Sequence, residues 1–112
     1  MTTALWQAID AHAAELKRGK ILDLFAADSN RANAFTFNAP HLTIDLSKER
    51  FDAKAKALML DLARARDFEG WRARMFDGAI INTTEKRPVL HTALRGMAPT
   101  SEIETEIRTT RE

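Results

Sequence analysis

The sequence predicts an α+β fold, mostly helical, in which amphipathic helices surround one short β-hairpin. Two observations carry this. Apolar residues recur at helical spacing in Leu5, Ile9, Ala13 and Leu16, and again in Phe51, Ala55, Leu58 and Leu62. Between them the period falls to two, in Phe35-Thr36-Phe37 and in Leu42-Thr43-Ile44-Asp45-Leu46, around the turn signal Asn38-Ala39-Pro40. A period near 3.6 places one stripe of a helix against a core, and a period of two does the same for one face of a strand.

The first helix spans Thr3–Lys17, with Trp6 beside the apolar stripe and Asp10 and Glu15 off it. Gly19 stands where a left-handed C-cap would close it. Ile21–Ala27 predicts a short second helix with Ile21, Leu24 and Phe25 inward. Asp28 and Ser29 are candidate N-caps for a helical turn over Asn30–Ala34. The hairpin follows, with Phe35 and Phe37 set against Leu42, Ile44 and Leu46. An isolated hairpin is marginal in water, so this one must rest on helices. Ser47 precedes a long helical segment, Phe51–Arg66, the best periodic match in the chain. Asp67–Met75 continues as a short helix or turn ended by Gly78. Glu85–Arg95 predicts a last helix with Thr84 as its N-cap, Glu85 at the positive end of its dipole, Pro88 in its first turn and Gly96 as its C-cap. Beyond Met97 the chain is polar, Ile103 and Ile107 being its only large apolar residues. The domain division expected is 1–96 as a helical segment and 97–112 as a polar tail.

Composition narrows the function classes. The 112 residues carry a formal net charge of +1, 45% hydrophobic and 29% charged residues, 7% aromatics and no Tyr. A balanced charge, with basic and acidic residues alternating, predicts neither nucleic-acid nor anionic-membrane binding. The absence of Cys removes disulfides, thiolate metal sites and a cysteine nucleophile. No apolar run approaches the roughly 18 residues of a membrane span. The first residues lack the basic and apolar regions of a secretory signal, so the expectation is a soluble, cytoplasmic protein.

Candidate chemistry is sparse. No two of His12, His41 and His91 share an i, i+3 or i, i+4 spacing, so no zinc pair is encoded. His12 and His41 read as surface or capping residues, and His91, mid-helix, as a buried residue with a structural hydrogen bond. Ser29, Ser47 and Ser101 lack a nucleophile-elbow context, and the four glycines form no phosphate-cradling loop. Arg64, Arg66, Arg72, Arg74, Arg87 and Arg95 could recognise an anion. Interleaved Asp61, Asp67 and Glu69 favour an ordinary solvated face instead. Trp6 and Trp71 read as core or interface anchors. From the residues alone, no reaction follows.

A resemblance adds one. Met75-Phe76-Asp77-Gly78, then Ile81-Asn82-Thr83-Thr84-Glu85-Lys86-Arg87-Pro88-Val89-Leu90-His91-Thr92-Ala93-Leu94-Arg95, resembles the N-terminal signature of glucose-6-phosphate isomerases. The matching positions are Asn82, Thr84, Glu85, Arg87, Val89, Leu90, His91, Ala93, Leu94 and Arg95. Upstream, Leu24-Phe25-Ala26-Ala27-Asp28 with Arg31 and Phe35, and Leu42–Lys48, are similar to further family stretches. The resemblance runs from about Leu5 to Arg95. Pro88 replaces the family's usual Ala, and Met97–Glu112 does not look like the family's continuation.

The resemblance implies the N-terminal portion of an enzyme that interconverts glucose 6-phosphate and fructose 6-phosphate in glycolysis and gluconeogenesis. The family's catalytic glutamate, ring-opening histidine, active-site lysine and phosphate-binding Ser/Thr loop lie downstream of these positions. No catalytic, substrate-binding, cofactor-binding or metal residue is therefore assigned here, and no cofactor is expected. Glu85, Arg87 and His91 are read as structural, with Asn82, Thr84 and Arg87 fixing the helix start and docking it on the next domain. The expected partner is the rest of the isomerase chain, or a second copy in a homo-oligomer. The alternative is an autonomous helical binding or self-association module.

Overall fold

The computed structural model describes residues 2–111, which fall into two compact units divided between Arg66 and Asp67. The first unit holds α1 (Thr2–Arg18), α2 (Ile21–Ala27), α3 (Arg31–Ala34), β1 (Thr36–Ala39), β2 (Leu42–Asp45) and α4 (Ala53–Ala65). The second holds α5 (Phe68–Phe76), a 3-10 turn over Ala93–Arg95 and α6 (Ser101–Arg111). The α+β, mostly helical fold class is thus observed. No helix among the described residues is long and apolar enough to cross a membrane.

In the first unit α1 packs on α4 through most of the two stripes read from the sequence, Ala13 staying exposed. Leu62 is buried, and Leu5, Ile9, Leu16, Ala55 and Leu58 are half-buried. The hairpin is antiparallel, pairing Thr36 with Asp45, Phe37 with Ile44, Asn38 with Thr43 and Ala39 with Leu42. Pro40 and His41 form its loop, and His41 takes φ 62°, a left-handed conformation at the second turn position. Leu46 N–H donates to the Phe35 carbonyl at 2.9 Å, which extends the register one step and puts Phe35 on the face of Phe37, Ile44 and Leu46. Phe35 is buried and meets Phe51 edge to face at 5.9 Å. Leu42 and Ile44 belong to the same face but stay exposed, so the far end of the hairpin is not covered.

Several boundaries differ from expectation. Gly19 does not adopt a left-handed conformation; its N–H donates to the Leu16 carbonyl at 3.2 Å, and α1 gives way directly to Lys20. Lys20 N–H in turn donates to the Asp23 carboxylate at 3.0 Å, closing the start of α2. The helical turn begins at Arg31, not Asn30, and neither Asp28 nor Ser29 caps it through a side chain. Asp28 Oδ1 instead accepts from Asn30 N–H at 2.9 Å, an Asx turn that precedes the helix. The long helix starts at Ala53, two residues after Phe51. Asp52, extended in backbone, sets that start by accepting from Ala55 N–H at 2.8 Å.

In the second unit α5 ends in a Schellman arrangement. Gly78 N–H donates to Met75 O at 3.3 Å and Ala79 N–H to Arg74 O at 2.9 Å, with Gly78 at φ +70°. The same geometry recurs at the 3-10 turn, where Gly96 at φ +84° donates to Ala93 O at 3.1 Å and Met97 donates to Thr92 O at 3.1 Å. Gly78 and Gly96 therefore end their elements as expected.

The helix expected over Glu85–Arg95 does not form. Asn82 and Arg87 exchange backbone hydrogen bonds of 3.3 Å each across a loop of Thr83–Lys86, and Lys86 sits at φ 53°. Three local causes combine. Asn82 Oδ1 takes Glu85 N–H at 3.1 Å, so the cap is Asn82 and closes a turn rather than opening a helix. Pro88 supplies no N–H and drives Arg87 toward extended backbone. Lys86 in the left-handed region interrupts any right-handed propagation. Only Ala93–Arg95 winds up, around buried Ala93. Residues Ser101–Arg111 are helical, with Ile103 and Ile107 half-buried along one side and Ile103 N–H donating to Thr100 Oγ1 at 3.3 Å.

Candidate functional site

A cluster of titratable groups lies where α1 meets the start of α4. His12 is only 7% exposed although its helix neighbours Ala11 and Ala13 are open to solvent. Its Nε2 lies 2.8 Å from Asp52 Oδ1 and its Nδ1 lies 3.0 Å from Glu15 Oε2. Lys54 Nζ stands 3.6 Å from the same Glu15 oxygen. These contacts raise His12 above its ordinary value of 6.5, the Asp52 bond first and the Glu15 bond second. Burial opposes them and does not win. Glu15 is held below the usual carboxylate range by His12 and then by Lys54. Asp52 is also lowered: its burial works the other way, but the Ala55 amide and His12 together outweigh it.

Beside this cluster runs a groove of about 350 Å³. Leu16, Phe51, Ala55, Leu58 and Met59 line it, with Lys17 and Arg50 among its charged residues. Arg50 Nη1 donates to the Lys17 carbonyl, tying the loop before α4 to the last turn of α1. The expectation of a surface or capping role for His12 is overturned. It is a buried link between two helices, because the carboxylate of an N-cap forty positions away folds onto it.

A buried arginine organises the other side of this unit. Arg31, 2% exposed, donates from Nε to Ser47 O at 2.7 Å and from Nη2 to Glu49 O and Phe51 O, each at 2.8 Å. Its guanidinium lies 4.8 Å from the Phe35 ring centre and 5.5 Å from that of Phe25. One side chain thus satisfies three carbonyls of the 47–51 loop, which has no ladder or helix of its own to take them. Asp45 adds to the same corner: it accepts from Ser47 N–H at 2.8 Å, and Ser47 then Lys48 hold its carboxyl down at about 2.

The stretch 82–95 offers no converging chemistry. Asn82 Nδ2 donates to Glu85 Oε2 at 3.1 Å, and Arg87 Nε donates to the same oxygen at 2.7 Å. Asn82, Glu85 and Arg87 are brought together, but they answer one another across an exposed loop. Thr84 and His91 are exposed, so His91 is not the buried mid-helix residue expected. Arg64 pairs with Asp61 at 2.8 Å, Arg74 with Asp67 at 3.0 Å, and Arg72 with Glu69. These pairs are the solvated, charge-offset faces that the sequence suggests. Trp71 is exposed, with Arg74 over its ring at 4.3 Å, and Trp6 is exposed on α1, so neither is a core anchor. Among the described residues no group of three or more His, Asp or Glu side chains is arranged to hold a metal ion.

Comparison with known proteins agrees with the resemblance. The phosphoglucose isomerase family model matches residues 45–106, more than half of the chain. The glucose-6-phosphate isomerase of Pseudoalteromonas translucida is 43% identical over 97 residues, which are 87% of this chain and 18% of that protein. That of Caulobacter vibrioides is 45% identical over 95 residues, 85% of this chain and 18% of the relative. That of Methylibium petroleiphilum is 49% identical over 94 residues, 83% and 17% respectively. The chain therefore spans under a fifth of the length of these curated relatives. With a family model that matches over half of the chain and runs through both compact units, and with the signature over Ile81–Arg95, the chain belongs to the phosphoglucose isomerase family.

Proposed function

We propose that this chain serves as the N-terminal portion of a glucose-6-phosphate isomerase, supplying docking surface and not catalytic groups. The observation that carries the reading is the family match over residues 45–106, joined to relatives at 43–49% identity along most of the chain. Aldose–ketose interconversion needs a base that moves a proton between neighbouring carbons through an enediol, and donors that hold the phosphate and the developing oxyanion. Here Glu85 and Arg87 form an ion pair on an exposed loop, Asn82 donates to the same carboxylate, and His91 has no carboxylate or guanidinium partner within that set. Such groups suit a closed structural turn better than a proton shuttle.

The exposed apolar side chains support the docking role. Trp6, Leu22, Phe68, Trp71, Ile80 and Met97 are all about half exposed or more, an arrangement that leaves apolar surface for the rest of an isomerase or for a second copy. A cytoplasmic location and a homo-oligomeric state follow from this reading. The test has two arms. The purified 112-residue chain, assayed with fructose 6-phosphate and a coupled dehydrogenase, should show no turnover. A chimera carrying this chain in place of the matching 97 residues of the Pseudoalteromonas relative should be active. Robust turnover by the chain alone, abolished by Glu85→Gln or His91→Asn, would sink the proposal, as would an inactive but folded chimera.

A further inference from the structure

We propose that His12 is a pH-operated latch between α1 and the start of α4, closed when its ring is doubly protonated and released when one proton leaves. The geometry requires it. Both ring nitrogens face carboxylate oxygens, Nε2 toward Asp52 at 2.8 Å and Nδ1 toward Glu15 at 3.0 Å, and carboxylates only accept. Both contacts are hydrogen bonds only if the imidazolium donates twice. A neutral ring donates once, so whichever nitrogen keeps the proton, the other presents a lone pair to a carboxylate across a part-buried contact. The two bonds serve different elements: Glu15 lies one turn along α1, whereas Asp52 is the residue whose carboxylate also holds Ala55 N–H and starts α4. Losing either therefore frees the ring from its helix neighbour or from the opposite helix.

The charged groups around the ring are few. On α1 it faces Glu15, from the α4 side Asp52 and Lys54, and the adjoining groove carries Lys17 and Arg50. Lys54 opposes the imidazolium, yet the raised position of His12 shows the two carboxylates prevailing. A group raised in the folded state stabilises fully below its unfolded value, here 6.5, and that contribution is lost as pH rises through the folded value. The latch is thus closed under mildly acidic conditions and opens on the alkaline side of 6.5. The groove lined by Leu16, Phe51, Ala55 and Leu58 is the seam it guards.

The experiment is a pH series on the whole chain. The His12 ring is followed by its 13Cε1 resonance, and the α1 amides by hydrogen-exchange protection corrected for intrinsic chemistry. His12 should titrate above 6.5, and α1 protection should fall through that same titration. Each pH unit of upward displacement corresponds to a protection loss of about tenfold. His12→Gln should remove this pH dependence. Asp52→Asn, which keeps a side-chain N-cap, and Glu15→Gln should each move the titration downward, while Lys54→Met should not lower it. Titration at or below 6.5 in the native chain overturns the latch. So does an unchanged titration in both Asp52→Asn and Glu15→Gln, or a wild-type protection profile in folded His12→Gln.

Discussion

Replacing Arg31 with Met asks how much one buried guanidinium contributes to the first unit. The side chain lies 2% exposed and gives three hydrogen bonds, all to carbonyls of the loop that leads into α4. A hydrogen bond from a charged donor contributes about 1.5–3 kcal/mol, and a desolvated cation over an aromatic ring up to about 2 kcal/mol. Burying the charge works against these gains by several kcal/mol. Met restores most of the volume and removes the charge, but it leaves Ser47 O, Glu49 O and Phe51 O without their donor. An unsatisfied buried carbonyl costs about 1–3 kcal/mol, less where water reaches it, and two of the three are only part-buried. The expected net loss is roughly 3 kcal/mol. At a urea slope of about 1.5 kcal/mol/M for a chain this short, the midpoint falls by about 2 M. Trp6 fluorescence in a Trp71→Phe background reports the first unit. Arg31→Lys, whose ammonium cannot fork to all three carbonyls, should fall between. A folded Arg31→Met within about 0.5 kcal/mol of its parent would refute the reasoning, since that is the scale of an ordinary surface change.

Two further outcomes follow from local geometry. Gly78→Ala should destabilise more than Gly96→Ala: both need a positive φ, costing an L-residue about 1–2 kcal/mol, but a Cβ at Gly78 would lie 2.8 Å from Pro99 Cγ, whereas nothing stands within 4 Å at Gly96. Equal losses of denaturation midpoint would show that Pro99 gives way freely. The Asp45 carboxyl should titrate near 2 by carbon-detected NMR, with the Ser47 amide shifting in step. Being lowered in the fold, it favours the native state above about 3.8 and loses that effect as pH falls through about 2. A titration at the ordinary value would mean the Asp45–Ser47 turn does not persist in solution.

Much of the local structure was legible because it rests on neighbours in sequence. The stripes of α1 and α4, the hairpin around Pro40 and the stops at Gly78 and Gly96 each depend on residues a few positions apart. Arg64, Arg72 and Arg74 were readable as solvated for the same reason, since their acidic partners lie within seven residues. The failure over Glu85–Arg95 is also local. The capping role expected of Thr84 is taken by Asn82, and the Asx turn there, followed by Lys86 in the left-handed region and Pro88, defeats the helix. Pro88 in a first turn would have been tolerable, but the first turn never formed. Asp52 was masked as an N-cap because the apolar period already begins at Phe51, one residue before it.

The roles of His12 and Arg31 could not be read this way. His12 depends on a carboxylate forty positions along the chain, and Arg31 on carbonyls sixteen to twenty positions away. No periodicity encodes such a pairing; it exists only once α1, α4 and the 47–51 loop are packed. By itself, then, the sequence determined the family, the element types up to Gly78 and the charge-balanced surface, since identity, period and composition are properties of the chain read in order; Glu85–Arg95 and the helix over Ser101–Arg111 escaped it. Tertiary structure alone decided which polar groups are buried and what answers them, because burial creates a demand for partners that only packing can meet.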